Sequence, residues 1–214
     1  RVNRADFVQL NKLGWPVALQ MFMETASFSL CTIMVGWLGA QELAAHQVMI
    51  SVSMLFFMMY MGMGSAIAVR VSYFRGQSDR LNMRRSAVAG FHIIISIALC
   101  CSLLVWSLHN HIGAWFTDDP EVVQAIPALV LPLLVYQLSD GLQIAFSNAL
   151  RGLTDVRIVM WYAFISYFIV SLPVSYCFAF LFDWGLPGIW FSYPVGLTCA
   201  GLLYSSRFFR RTRA

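Results

Sequence analysis

Residues 86–117 read SAVAGFHIIISIALCCSLLVWSLHNHIGAWFT, 32 residues without one Asp, Glu, Lys or Arg. A helix rises ~1.5 Å per residue, so crossing a ~30 Å hydrocarbon slab takes about 20 residues. The run has turns to spare. It shows no strict alternation of period two, which separates it from the ~10-residue strands of a membrane barrel. Working outward, five more such runs occupy 13–41, 43–69, 122–150, 158–182 and 184–206, interrupted only by Glu24 and Asp140. They predict an all-α membrane protein with six transmembrane helices at about 13–38, 46–70, 86–108, 122–150, 158–182 and 186–206.

Composition agrees. Of 214 residues, 59% are hydrophobic and 11% charged, whereas a soluble domain carries about a quarter charged residues, so a water-soluble globule is excluded. No Ser/Gly linker or clear internal repeat divides the chain, and 1–214 reads as a single six-helix lobe. The polar start, Arg1 to Lys12, and the long first run do not match a cleavable signal. The chain begins at Arg1 rather than Met and is expected to be a piece of a longer protein.

The basic residues sort by connection. Arg1, Arg4 and Lys12 precede the first span, Arg70, Arg75, Arg80, Arg84 and Arg85 lie between spans two and three, Arg151 and Arg157 between four and five, and Arg207, Arg210, Arg211 and Arg213 follow the sixth. The other connections hold none and carry Glu42, Asp118, Asp119, Glu121 and Asp183 instead. Lys and Arg are retained on the cytoplasmic side, so both termini are expected there. The net charge of +4 is thus a topology signal, and no nucleic-acid partner is implied. The longest connections are expected at 73–85 inside and 109–121 outside, and the shortest at Gly39 to Glu42. Cys31, Cys100, Cys101, Cys177 and Cys199 sit inside apolar runs without metal-ligand spacing and read as packing residues.

Two carboxylates interrupt the runs at one depth. Glu24 lies eleven residues from Leu13 and Asp140 ten residues from Leu150, which places both ~15–17 Å above the inner boundary. Each belongs to a polar stripe of the same i, i+4, i+7, i+11 spacing, Gln20, Glu24, Ser27 and Cys31 on the first span and Tyr136, Asp140, Gln143 and Ser147 on the fourth. Facing stripes would line an internal cavity. An acid at mid-bilayer costs at least ~2.5–3.5 kcal/mol on insertion scales and marks an ion or substrate path. Carboxylate, phenol and amide oxygens are hard ligands suited to sodium, and an apolar surrounding disfavours a bare negative charge, which makes protons the alternative coupling ion.

Other features are less specific. Asp119 is placed to cap the fourth span with Pro120 at its first position and Glu121 in its first turn, leaving Asp118 as the better candidate for an acidic outer mouth. The methionines at 54, 58, 59, 61 and 63 read mainly as lipid-facing or packing residues, and Gly62, Gly64, Ser65, Ala66 and Ala68 as a close-packing patch. His46 is expected near the outer surface, Arg70 as an inner anchor, and Arg207 to Arg213 beside anionic membrane lipids.

Taken in order, Leu13-Gly14-Trp15-Pro16 through Met21-Phe22-Met23-Glu24, then Ala44-Ala45-His46-Gln47, Arg70-Val71-Ser72-Tyr73-Phe74-Arg75-Gly76-Gln77, Asp119-Pro120-Glu121-Val122, Tyr136-Gln137-Leu138-Ser139-Asp140 and Leu150-Arg151-Gly152 resemble the multidrug and toxic compound extrusion (MATE) family, in its NorM-type branch. The resemblance implies the C-terminal six helices of a twelve-helix transporter, with an N-terminal six-helix lobe as its missing partner, in a bacterial inner membrane. It implies no cofactor and no enzymatic step, only exchange of small organic cations for sodium or protons by alternating access. On that resemblance Glu24, Asp140, Tyr136 and Gln47 belong to the cation site, with Glu24 and Asp140 as sodium ligands, and Asp118 and Asp119 contact cationic drugs. Phe28, one turn beyond Glu24, is a further stacking candidate for a planar cation. Two alternatives carry other chemistry. A lipid-linked oligosaccharide flippase of the same superfamily would want a basic cavity, whereas the deep charges here are both acidic. An intramembrane hydrolase would use Glu24 and Asp140 as an acid/base pair.

Overall fold

Helices outlast the apolar runs that predict them, because a charge ends a hydrophobic stretch without ending a backbone ladder. The computed structural model describes residues 3–213, and Arg1, counted above with the inner basic residues, lies outside them. Within the described residues six helices are long and apolar enough to cross a membrane: α1 Arg4–Leu38, α2 Ala40–Gly76, α3 Arg80–Phe116, α4 Pro120–Gly152, α5 Val156–Leu181 and α6 Gly185–Arg211.

The extra turns absorb most of the expected connections. Both long connections shrink to three residues, 77–79 and 117–119, because helical backbone continues past the arginines on one side and through His109 and His111 on the other. Asp79 caps α3 by accepting from the Asn82 backbone N–H at 3.0 Å. That bond, joined by the Asn82 amide, holds the Asp79 carboxyl below its ordinary range. Asp119 caps α4 as anticipated, accepting from Glu121 N–H at 3.0 Å, with Pro120 at the first helical position. Between α1 and α2 the turn narrows to Gly39 alone, whose φ of 154° is open to glycine and strained for other residues.

α4 and α6 form the centre of the lobe. Trp190, Ile189 and Leu197 of α6 and Leu129, Leu133 and Leu150 of α4 are fully buried. Close approach is arranged by glycines: a Cβ at Gly201 would meet Leu142, and one at Gly64 of α2 would meet Ile144 and Asn148 of α4. The small-residue patch on α2 is therefore split, since Gly62 faces open space. α1 stands at the edge, buried only along Pro16, Gln20, Ser27, Cys31 and Val35. It leans on α5, where the Ser27 hydroxyl donates to the Tyr167 carbonyl at 3.4 Å and Cys31 Sγ meets Ser175 Oγ at 3.4 Å. α5 winds in wider i→i+5 turns over Ile165–Ser171 and Cys177–Leu181, on both sides of Pro173, a known way to accommodate a residue without an N–H. Large apolar side chains such as Trp15, Leu55, Leu103 and Leu202 remain exposed on the perimeter, where lipid would cover them.

Candidate functional site

The polar stripes on α1 and α4 do meet, but only in part. A partly enclosed cavity of about 310 Å³ opens between α1, α2 and α4. From α1 it takes Gln20, Glu24 and Phe28, from α2 Ser53, Met54, Phe57 and Met61, and from α4 Tyr136, Gln143, Ser147, Asn148 and Arg151. Ser27 and Cys31, further along the first stripe, turn to α5 instead. Met54 and Met61 thus belong to a cavity wall, while Met58 and Met59 face outward.

Glu24 is half-buried and makes no ion pair among the described residues, where only Asp155 has one. Phe28 beside it packs against Tyr193 at 4.9 Å between centroids and edge-on to Tyr136 at 6.4 Å. Carboxylate and aromatic wall together suit a flat organic cation.

Asp140 does not line this cavity. It is 2% exposed, and its Oδ2 has no hydrogen-bond partner. It lies near enough to Glu24 for the two charges to interact, with Tyr60, Tyr136 and Tyr167 in the same neighbourhood. The Tyr167 hydroxyl is also buried without a hydrogen-bond partner, while Tyr60 donates to Gln137 Oε1 at 2.8 Å; Gln143 Oε1, likewise unpartnered, belongs to the cavity-lining residues, and the Tyr193 hydroxyl lies toward Cys31. A buried carboxylate oxygen without a partner calls for one, an ion or water. The donor set is one of hard oxygens, as a small cation wants. Among the described residues no three of His, Cys, Asp and Glu gather, so the set is unlike a transition-metal site.

Three sequence-predicted residues lie elsewhere. Gln47 is exposed, far from any partner but Ser51, which donates to its backbone carbonyl at 2.8 Å. The reason is rotation: His46, one residue earlier, takes the inward position, fully buried with Nε2 3.1 Å from Thr32 Oγ1 and its ring 5.6 Å from Trp190. His46, expected near the outer surface by depth along α2, thus turns its ring into the lobe. Asp118 and Asp119 are exposed at the opening of α4, outside the cavity, with Asp119 committed to its cap.

Arg151 belongs by sequence to an inner connection, yet its side chain lines the cavity and donates through Nη2 to Gln20 Oε1 at 2.8 Å. The picture of a purely acidic interior is corrected accordingly. The signal was present, since Arg151 extends the stripe Tyr136, Asp140, Gln143, Ser147 by one more i+4 step. Tyr167, whose hydroxyl lies beside Glu24, comes from α5 and had no such signal.

A six-helix membrane lobe with a carboxylate in an intramembrane cavity defines a transporter-type protein. The sequence pattern of the MatE family matches residues 16–177, and the chain belongs to that family. It is 36% identical over 199 residues to a probable multidrug resistance protein NorM of Xylella fastidiosa (strain Temecula1), covering 93% of this chain and 42% of that protein. A probable multidrug resistance protein NorM of Xanthomonas campestris pv. campestris is 35% identical over 205 residues, 96% of this chain and 45% of its own. The chain spans less than half the length of these relatives. In fold it matches the eukaryotic MATE transporter AtDTX14 (TM-score 0.88, 20% identity, all of this chain and 50% of that one). It also matches a MATE protein in the straight conformation (TM-score 0.91, 14% identity, 99% and 48%). The named relatives are transporters, not enzymes.

Proposed function

We propose that the chain is one lobe of a multidrug exporter in a bacterial inner membrane, working with a preceding six-helix lobe to exchange organic cations for sodium or protons by alternating access. One observation carries the reading: Glu24 stands without an ion pair in an aromatic-walled cavity between three apolar helices. A cationic dye or drug neutralises that carboxylate and stacks on Phe28, while Tyr136 supplies a phenol edge. Asp140, sealed behind the cavity with Gln143 and tyrosine hydroxyls near it, is the coupling-ion site. Its occupation changes the field at Glu24, which links ion entry to release of the organic cation. Gln47 has no part in this arrangement. Asp118 acts at most as an attracting charge at the outer mouth. An acid/base hydrolase finds less support, because only one of its two carboxylates reaches the cavity.

The test is dye-cation efflux from proteoliposomes holding the complete transporter, under an imposed sodium or proton gradient, in wild type and Asp140→Asn. Sodium-driven efflux lost in the variant supports the reading with sodium as the ion, and proton-driven efflux lost in the variant supports it with protons. Absence of efflux under either gradient overturns it.

A further inference from the structure

The proposed function leaves one cavity charge without a role. Arg151 closes α4, and its bond to Gln20 is the one side-chain hydrogen bond from α1 to α4 among the described residues, the others from α1 reaching α2 and α5. A guanidinium has five N–H donors and is best satisfied by a carboxylate, which takes two of them side by side. Here it has an amide oxygen instead. Its Nε is buried without a partner, and so is Nε2 of Gln20, itself 1% exposed. Glu24 lies one helical turn beyond Gln20 and lines the same cavity without an ion pair. The lobe thus holds a partly buried, under-satisfied guanidinium on a neutral amide, with a carboxyl that has no ion pair one helical turn further along α1. Leaving such a pair unjoined is unfavourable in a low dielectric unless something else occupies the acid.

We propose that Arg151 is a built-in counter-cation for Glu24 that competes with the transported cation. Its guanidinium rests on Gln20 while Glu24 holds cargo, and takes the Glu24 carboxylate when cargo leaves. The inference rests on Glu24 being the cargo site. It explains how an empty site avoids a bare charge in the membrane, and it makes Arg151 a determinant of affinity rather than a scaffold element.

The experiment is equilibrium binding of ethidium to the purified complete transporter, read by fluorescence anisotropy. Arg151→Gln removes the competitor and tightens binding about tenfold, as loss of a nearby like charge in a partly hydrated site should. Arg151→Lys keeps the charge and stays within about twofold of wild type. Gln20→Leu removes the resting place, drives the guanidinium to Glu24 and weakens binding. The opposite signs are the diagnosis, since a merely structural role for the bond would make Arg151→Gln and Gln20→Leu weaken binding alike, and that result overturns the proposal. Should Arg151→Gln not fold, Arg151→Met is measured in its place against Gln20→Leu: weaker binding in both overturns the proposal, and so does unchanged or tighter binding in Gln20→Leu. If Glu24→Gln leaves ethidium affinity unaltered, the cargo site itself is misplaced and both readings fall. If Glu24→Gln weakens binding while Arg151→Gln does nothing, only this one does.

Discussion

Glu24 and Asp140 share a depth and a stripe position, yet the lobe treats them in opposite ways. Glu24 sits on α1, the helix with least of its surface inside the lobe, and meets a cavity. Asp140 sits on α4, one of the two central helices, and is closed off at 2% exposure. Depth decides whether an acid is costly, whereas the helix that carries it decides what can reach it. An edge helix can offer its charge to a bulky guest, and a central helix only to an ion small enough to pass between packed side chains.

The largest effect that would break this comparison is a loss of cargo binding from the wrong acid. Glu24→Gln is expected to weaken equilibrium dye binding at least about tenfold, the scale of a removed charge partner. Asp140→Asn, which imitates the occupied ion site, should weaken dye binding by clearly less than Glu24→Gln does and abolish gradient-driven efflux, since it acts on cargo only through linkage. Equal losses of dye affinity in both would show one shared site. A second measurement sharpens the contrast: with the five native cysteines replaced, Glu24→Cys should react with a water-soluble thiosulfonate at least about tenfold faster than Asp140→Cys, because modification follows access. Similar rates would mean that Asp140 is open to solvent.

The smallest effect comes from a third acid that the protein pairs for itself. Burial pushes the Asp155 carboxyl up, but hydrogen bonds and charge from Arg207 and Arg211, at 2.8 and 3.2 Å, outweigh it and hold the group below its ordinary value. A depressed carboxyl stabilises above the unfolded value and loses that contribution as pH falls through the folded one. Asp155→Asn should therefore lower thermal stability at neutral pH by less than ~1 kcal/mol, the pair being partly exposed, with the difference from wild type vanishing in acid below the carboxylate range. A difference that persisted there would assign the effect to packing.

Much of this was legible in the sequence. Charge-free length gives the six helices, and the Asp119-Pro120 pair the start of α4. What periodicity cannot supply is the rotation of each helix against its neighbours. That rotation sends His46 inward and Gln47 out, turns Ser27 and Cys31 to α5, and seals Asp140 behind a cavity its own stripe helps to line. Nor does residue number locate the head of a long side chain. Arg151 is at the end of α4 by backbone and in the cavity by guanidinium. The short connections escaped because arginines that end an apolar run are sound helix formers in water.

Gly39 turns the geometry of α1 into that of a door. With a single residue between α1 and α2, the two helices are pinned together at one end, and beyond it α1 is held by a few side-chain bonds to α5 and to Arg151. Glu24 is fifteen residues from the pin, a radius of ~22 Å, so a swing of about 10° carries its carboxylate ~4 Å across the opening. The same swing moves residues next to the pin hardly at all, and His46 with its Thr32 latch lies on that quiet side. Glu24 is placed where a small rotation would already carry it across the opening, and the contact that steadies the turn is placed where rotation does least.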